Sequence, residues 1–310
     1  MSLSSRVVLA LAVPALALLT TASFGQQLTP RASAVVSQPK LQNWMSPELA
    51  TAWSQGYRGQ GTTMTIIDDF SSSSIFSGNF GLGTQTQRHG QWTSEEAGLV
   101  APSAAIVSKD FNSGTAVQLR SGLNVLNMSY GMYARAGYNL NQIGWSGQES
   151  SIISYAKNGN AVISKAAGND AVAVGSANSS GQLDYLDSAL IGAKTAIFVG
   201  ALNTNGTVYA PASLASYSNR AGSNATVQKQ FLVVGVEGSK TGLYGTSFAA
   251  PVITGYAAVL GSKFTTASAT QITNQLLSTA RKDTLANYNV ATYGAGEASL
   301  TRALAPVGIK

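Results

Sequence analysis

Six short apolar runs set the frame of this chain, at residues 63–67, 104–107, 123–128, 161–164, 196–202 and 231–235. They are largely apolar, with adjacent apolar positions rather than a strict alternation, the pattern of a strand covered on both faces. Helical stretches fall between and after them, at residues 95–100, 151–158, 247–261 and 271–280. The stretch 247–261 is apolar on nearly every side, which predicts a buried helix. Covered strands alternating with helices predict an α/β domain whose mostly parallel central sheet carries helices on both faces, three layers in all. In such sheets the ligand crevice lies beyond the carboxyl ends of the strands. Asp68, Ser129 and Asn169 each follow the end of one of these runs, so the expected fold gathers polar groups in one crevice.

The composition narrows the classes. A chain of 310 residues can bury the core of one large domain. Apolar residues make up 45% and charged residues 10%, against about a quarter charged in ordinary proteins, so charge-driven disorder is excluded. The absence of cysteine excludes disulfides, a thiolate nucleophile and thiolate metal sites. The net charge of +6 comes from 19 basic and 13 acidic residues without a basic run, so no nucleic-acid partner is expected.

The first residues read as an address. Arg6 precedes an apolar run over residues 7–19, and small residues follow from Thr20 to Ser23. This is the order of a secretory signal peptide, assigned to residues 1–25. The apolar run falls short of the roughly 20 residues that a membrane span needs, although a retained N-terminal anchor is the alternative. The expectation is a secreted protein, extracellular or periplasmic, with no membrane contact after cleavage. Residues 26–40 form a polar, extended lead-in, and residues 41–310 a single domain without linker or repeat.

Four positions carry chemistry, each with an ordinary reading beside it. Ser247 opens the buried helix within Gly245-Thr246-Ser247-Phe248-Ala249-Ala250-Pro251. It is an N-cap on the plain reading and a nucleophile on the other, with free backbone N–H groups nearby. His89 is the sole histidine, a proton carrier at neutral pH or simply a satisfied residue. One histidine leaves a zinc site to carboxylates, and none is expected. Asp68 ends a buried strand, where a carboxylate can hold an imidazole in one tautomer or cap a turn, and Asp69 competes for that role. Asn169 follows Ala166-Ala167-Gly168 and can donate to an oxyanion or serve as a turn residue.

Taken together and in this order, these segments resemble the subtilisin-like serine peptidases, the subtilases. Gly-Thr-Ser247-Phe-Ala-Ala-Pro resembles the family's nucleophile motif, Ile66-Ile67-Asp68-Asp69 its aspartate motif, His89-Gly90 the start of its histidine motif and Ala167-Gly168-Asn169 its oxyanion segment. Asn127-Met128-Ser129-Tyr130-Gly131 is similar to the strand that lines the specificity pocket. The likeness extends over residues 41–306. Departures fall at Phe70, where the family has glycine, in the short interval between Asp68 and His89, and at Gln91-Trp92-Thr93. The lead-in also leaves little room for the folding pro-domain usual in the family.

The resemblance implies a subtilisin-like fold over residues 41–310 and a serine endopeptidase. Ser247 attacks the carbonyl, His89 carries the proton, Asp68 orients His89, and Asn169 with the Ser247 N–H holds the oxyanion. Ser129, Tyr130 and Gly131 would bind an extended protein or peptide substrate. A monomer is expected, with no required cofactor; structural calcium is common among relatives, and the scattered acidic residues place no site for it. Three competing readings follow: a silent binding protein on the same fold, a hydrolase of esters or of one dedicated partner, and a carbohydrate-binding module using Trp53, Trp92 and Trp145.

Overall fold

The computed structural model describes residues 39–309. The leader expected over residues 1–25, and all but the end of the lead-in, lie outside the described residues. Ten strands follow in chain order: β1 (Thr62–Asp68), β2 (Phe76–Gly78), β3 (Gln85–Gln87), β4 (Ala105–Asp110), β5 (Leu123–Met128), β6 (Tyr133–Arg135), β7 (Val162–Ala166), β8 (Gln182–Asp184), β9 (Ala196–Leu202) and β10 (Phe231–Gly235). The helices that matter here are α1 (Glu48–Ser54), α2 (His89–Val100), α3 (Gly147–Asn158), α4 (Tyr185–Leu190), α5 (Ala225–Gln230), α6 (Gly238–Thr241), α7 (Ala250–Lys263) and α8 (Ala269–Ser278).

Six strands form one sheet in the order β10-β9-β7-β5-β1-β4, every neighbouring pair parallel. Two small antiparallel pairs, β2 with β3 and β6 with β8, stand apart from it. β1 is flanked by β4 on one side and β5 on the other: the chain runs outward from β1 to β4 and then returns past β1 to β5, so the strand order reverses beside β1, where a crevice at the carboxyl ends is expected.

Side chains alternate across the sheet and so feed two cores. Met64, Ile66, Val125, Val162, Ile197, Val199, Leu232 and Val234 face one cluster, which α1, α2, α7 and α8 complete. Ile67, Leu126, Met128, Ile163, Phe198, Phe231 and Val233 face the other, beneath α3, α4 and α5. This is the three-layer α/β arrangement expected from the sequence.

α7 crosses under the middle of the sheet with all but its last residue buried. It can do so because glycine removes the side chain where α2 presses closest. A Cβ at Gly255 would lie 2.3 Å from Val100 Cγ1. Trp53 and Trp92 are fully buried in the same core. Their indole N–H groups donate to Val100 O at 3.1 Å and Phe76 O at 2.9 Å. Two of the three tryptophans weighed for carbohydrate binding are therefore core residues. Among the described residues no helix is long and apolar enough to cross a membrane.

α2 also buries a group that no local pattern marks as interior. Glu96 is 3% exposed, and its Oε2 has no hydrogen-bond partner among the described residues. Burial pushes its carboxyl well above the ordinary value of 4.5. The folded chain thus keeps a proton that the unfolded chain releases, and stability falls as pH rises above that value. Glu96→Gln removes the ionisation. It is expected to stabilise the fold by about 1–3 kcal/mol at about pH 8 and to change little at about pH 4, measured by urea unfolding at both. An equal effect at the two pH values would count against a buried, proton-holding Glu96.

Candidate active site

The carboxyl end of β1 delivers Asp68 into the crevice with its side chain 2% exposed. Asp68 Oδ1 lies 2.5 Å from His89 Nδ1 and accepts the Asp69 N–H at 2.7 Å. Its Oδ2 accepts from Thr93 Oγ1 at 2.8 Å. Three donors around one buried carboxylate hold it in a single orientation. Asp69, the competing carboxylate, turns away: it takes the backbone N–H groups of Ser71 and Ser72 and the Ser72 hydroxyl. These bonds hold its carboxyl below the ordinary value against the opposing effect of its slight burial.

His89 is the first residue of α2, six residues earlier than the helical stretch read from the sequence. Its side chain is 22% exposed, so one edge of the ring is open to the crevice while Nδ1 is spoken for. Two rings fix its plane. Phe76 of β2 meets it edge-on at 5.9 Å between centroids, and Phe248 lies at 5.6 Å. Phe248 in turn meets Phe80, which packs on Trp44 and Trp92. Each such pair adds about 0.5–1.5 kcal/mol beyond its buried area, so the imidazole is anchored to the core.

Ser247 is not the N-cap of the buried helix. It occupies a 3₁₀ turn over Thr246–Phe248, and α7 begins only at Ala250, with Ala249 as the capping residue and no side-chain cap. The chain enters the turn through Gly245 at φ 123°, a conformation that side chains rarely adopt. At this position the Ser247 N–H precedes the helical ladder that would otherwise supply it with an acceptor.

A buried polar network locks the turn to β5. Ser247 Oγ donates to Ser129 O at 3.3 Å, and Ser129 Oγ donates back to Ser247 O at 2.9 Å. Asn127 Nδ2 donates to Ser129 Oγ at 2.9 Å, and Thr254 Oγ1 of α7 donates to Asn127 Oδ1 at 3.1 Å. The hydroxyl of Ser247 is thus directed at Ser129 rather than at His89, although the neighbouring Phe248 packs on the imidazole. Asn127 and Thr254 were not singled out as site residues from the sequence; the polar interruption of an apolar strand at Asn127 was the available signal.

Asn169 follows the end of β7 and faces the same turn. Its Oδ1 accepts from Thr246 N at 2.8 Å and Thr246 Oγ1 at 3.0 Å, which fixes the amide orientation and leaves Nδ2 as a donor. A Cβ placed on Gly245 would lie 3.3 Å from that Nδ2. Asn169, Ser247 and the segment Ser129–Gly131 together line a cavity of about 370 Å³. The Tyr130 hydroxyl points elsewhere, donating to Glu149 Oε1 at 3.0 Å. Ser129, Tyr130, Gly131, Asn169 and Ser247 line this cavity together, while Asp68 and His89 lie outside its lining. His89 is joined to the Ser247 turn through the Phe248 ring, and no hydrogen bond links it to Ser247. The described residues contain no cluster of acidic or histidine side chains fit for a metal.

Comparison with known proteins agrees with this architecture. Residues 100–296 match the model of the subtilase family, more than half of the chain, and the protein belongs to that family. It is by that membership a serine-type peptidase. The matched stretch contains Ser247, Asn169 and Ser129 but starts after Asp68 and His89, near which the sequence departs from the family pattern. Among solved structures, the prenylagaramide maturation protease PagA is similar at 18% identity and a TM-score of 0.54, over 84% of this chain and 98% of that one. A protease from Pseudoalteromonas arctica is similar at 18% identity and a TM-score of 0.50, over 83% of this chain and 93% of that one. At these identities the likeness speaks for the fold. No curated protein matches the sequence.

Proposed function

We propose that the chain is a secreted serine endopeptidase that works through Asp68, His89 and Ser247. The observation that carries this reading is the bond between Asp68 Oδ1 and the sole histidine, whose ring packs on Phe248, the residue after the serine of the family motif. Secretion rests on the charge, apolar run and small-residue order of residues 6–25.

The groups then act in sequence. The Ser247 hydroxyl leaves Ser129 O and donates to the free ring nitrogen of His89. His89 takes its proton as Oγ bonds to the scissile carbonyl carbon, and later gives that proton to the leaving amine. Asp68 accepts the Nδ1–H throughout and stabilises the imidazolium without taking the proton. The oxyanion receives hydrogen bonds from Asn169 Nδ2 and the Ser247 N–H. Water then cleaves the acyl-enzyme by the same proton path. An extended peptide lies beside Ser129–Gly131 through main-chain hydrogen bonds. The backbone of that segment is held in register by the network through Asn127.

A fluorophosphonate probe tests the reading directly. It is expected to label Ser247 in the native chain and to lose the label after heat unfolding; an unreactive Ser247 in folded protein would leave a silent subtilase fold. Asn169→Ala separates the oxyanion role from a turn role. Its expected effect is a fall in kcat of about 10²–10³ with KM little changed, the size known for the oxyanion asparagine of subtilisin. A rise in KM at constant kcat would assign Asn169 to substrate binding instead.

A further inference from the structure

The cavity beside Ser247 has an unusual floor. Lys165, the penultimate residue of β7, is 1% exposed in the middle of an α/β core. Its Nζ donates to Ala166 O at 2.8 Å and to Asp184 Oδ2 at 3.0 Å, and pairs with Asp187 Oδ1 at 3.0 Å. Two hydrogen bonds and an ion pair thus engage the ammonium, which burial shuts off from a ligand. Asp184 also takes the Met132 and Leu186 N–H groups on Oδ1, which ties the floor to the wall at Gly131–Tyr133.

Above this floor the cavity carries a further carboxylate. Asp170 stands at the mouth, directly after Asn169, and is exposed. Its partners are distant: Asn178 Nδ2 at 3.3 Å on Oδ1 and the Tyr133 hydroxyl at 3.5 Å on Oδ2. Most of its acceptor capacity is therefore open. Among the described residues the lining holds one carboxylate, Asp170, and one ammonium, Lys165, whose charge is already met from behind by Asp184 and Asp187, so Asp170 is the charge without a counter-ion in the cavity. Burial, and then the neighbouring Asp184, raise the Asp187 carboxyl above its ordinary value, with Lys165 opposing. Arg220 on the flanking segment donates to Ala171 O and does not line the cavity. Burial, and then the Asp184 carboxylate, hold the Tyr133 phenol above its ordinary value, with Lys165 opposing. Its ring, 43% exposed, forms part of the same wall.

We propose that this cavity receives a cationic side chain, that of lysine or arginine, from the residue on the acyl side of the cut bond. The inference rests on the serine endopeptidase reading and adds its specificity. A cationic side chain supplies donors to Asp170 and a charge over the Tyr133 ring. An acidic side chain meets the Asp170 carboxylate and finds Lys165 buried and already paired with two carboxylates. An apolar side chain strips water from Asp170 and returns nothing, the situation in which polar sites discriminate most strongly.

Fluorogenic peptides that differ only in the residue before the cut, presented to the purified full chain, test this. Arginine and lysine peptides are expected to exceed leucine and phenylalanine peptides in kcat/KM by about tenfold, and glutamate peptides by about a hundredfold, with the ratio falling as salt is raised. Asp170→Asn is expected to shrink the arginine-to-leucine ratio by about fivefold or more. Benzamidine, a bare planar cation, should slow fluorophosphonate labelling of Ser247 in the native chain, where toluene does not. Faster cleavage after leucine or phenylalanine, or labelling indifferent to benzamidine, overturns the cationic pocket while a labelled Ser247 leaves the peptidase reading standing. No turnover of any peptide with Ser247 unlabelled overturns both.

Discussion

Ser247→Ala is expected to lower kcat for peptide hydrolysis by about 10⁶, the scale measured when the nucleophile of subtilisin is removed. No neighbouring group can substitute for it. Ser129 Oγ is held to the Ser247 carbonyl, and the Thr246 hydroxyl is held to Asn169. A residual rate about 10³ above water should persist from the oxyanion donors and from substrate binding. The fold should be kept. The lost hydroxyl makes one long bond, to Ser129 O at 3.3 Å, worth about 1 kcal/mol or less, while the Ser247 carbonyl still accepts from Ser129. Turnover of casein and of a short peptide, read beside thermal unfolding of both proteins, checks the two halves of this expectation. Near-native turnover in a folded Ser247→Ala chain would remove the serine from the mechanism altogether.

Some of this arrangement was open to reading from residues alone, and the reason is physical. Strands buried on both faces show no regular polar alternation, so β5, despite Asn124 and Asn127 within it, and the wholly apolar β9 and β10 are bounded as observed. The same rule failed where a charge is neutralised at long range. The run read at residues 161–164 stops before Lys165, because a lysine reads as exposed; the strand runs on through it to Ala166, since Asp184 and Asp187 supply its counter-charge. No local pattern announces partners 19 and 22 residues away. α3 begins at Gly147, four residues before the reading, because a Ser146 cap and a polar first turn carry no apolar period. α2 was shortened for the opposite reason. Trp92, Thr93 and Glu96 are all buried on it, and a helix covered on several sides shows no clean stripe. The positions of Asp68, Ser129 and Asn169 were legible because strand ends are legible. The direction of the Ser247 hydroxyl, and the Thr254–Asn127–Ser129 network that holds its peptide, were not, since hydrogen bonds between elements leave no period in a sequence.

Asp68→Asn is expected to lower kcat by about 10⁴ with KM nearly unchanged, again on the scale known for the aspartate of such triads. The substitution keeps shape and removes charge. Its carbonyl oxygen can sit where Oδ1 receives His89 Nδ1 and the Asp69 N–H, and its amide can face Thr93, whose hydroxyl is able to accept as well as donate. In that orientation the imidazolium formed during attack loses its counter-charge. In the flipped orientation the amide confronts the Asp69 N–H and forces His89 into the wrong tautomer, which is costlier still. Either way the loss appears in the chemical step. Asp69→Asn supplies the contrast. That carboxylate holds the Ser71–Ser72 turn, so its loss should cost stability in the loop and leave turnover within about a factor of three. Kinetics of the two variants on one peptide decide between the neighbours. A collapse of kcat in Asp69→Asn beside an active Asp68→Asn would transfer the orienting role one residue along the chain and leave the short contact at His89 without a catalytic meaning.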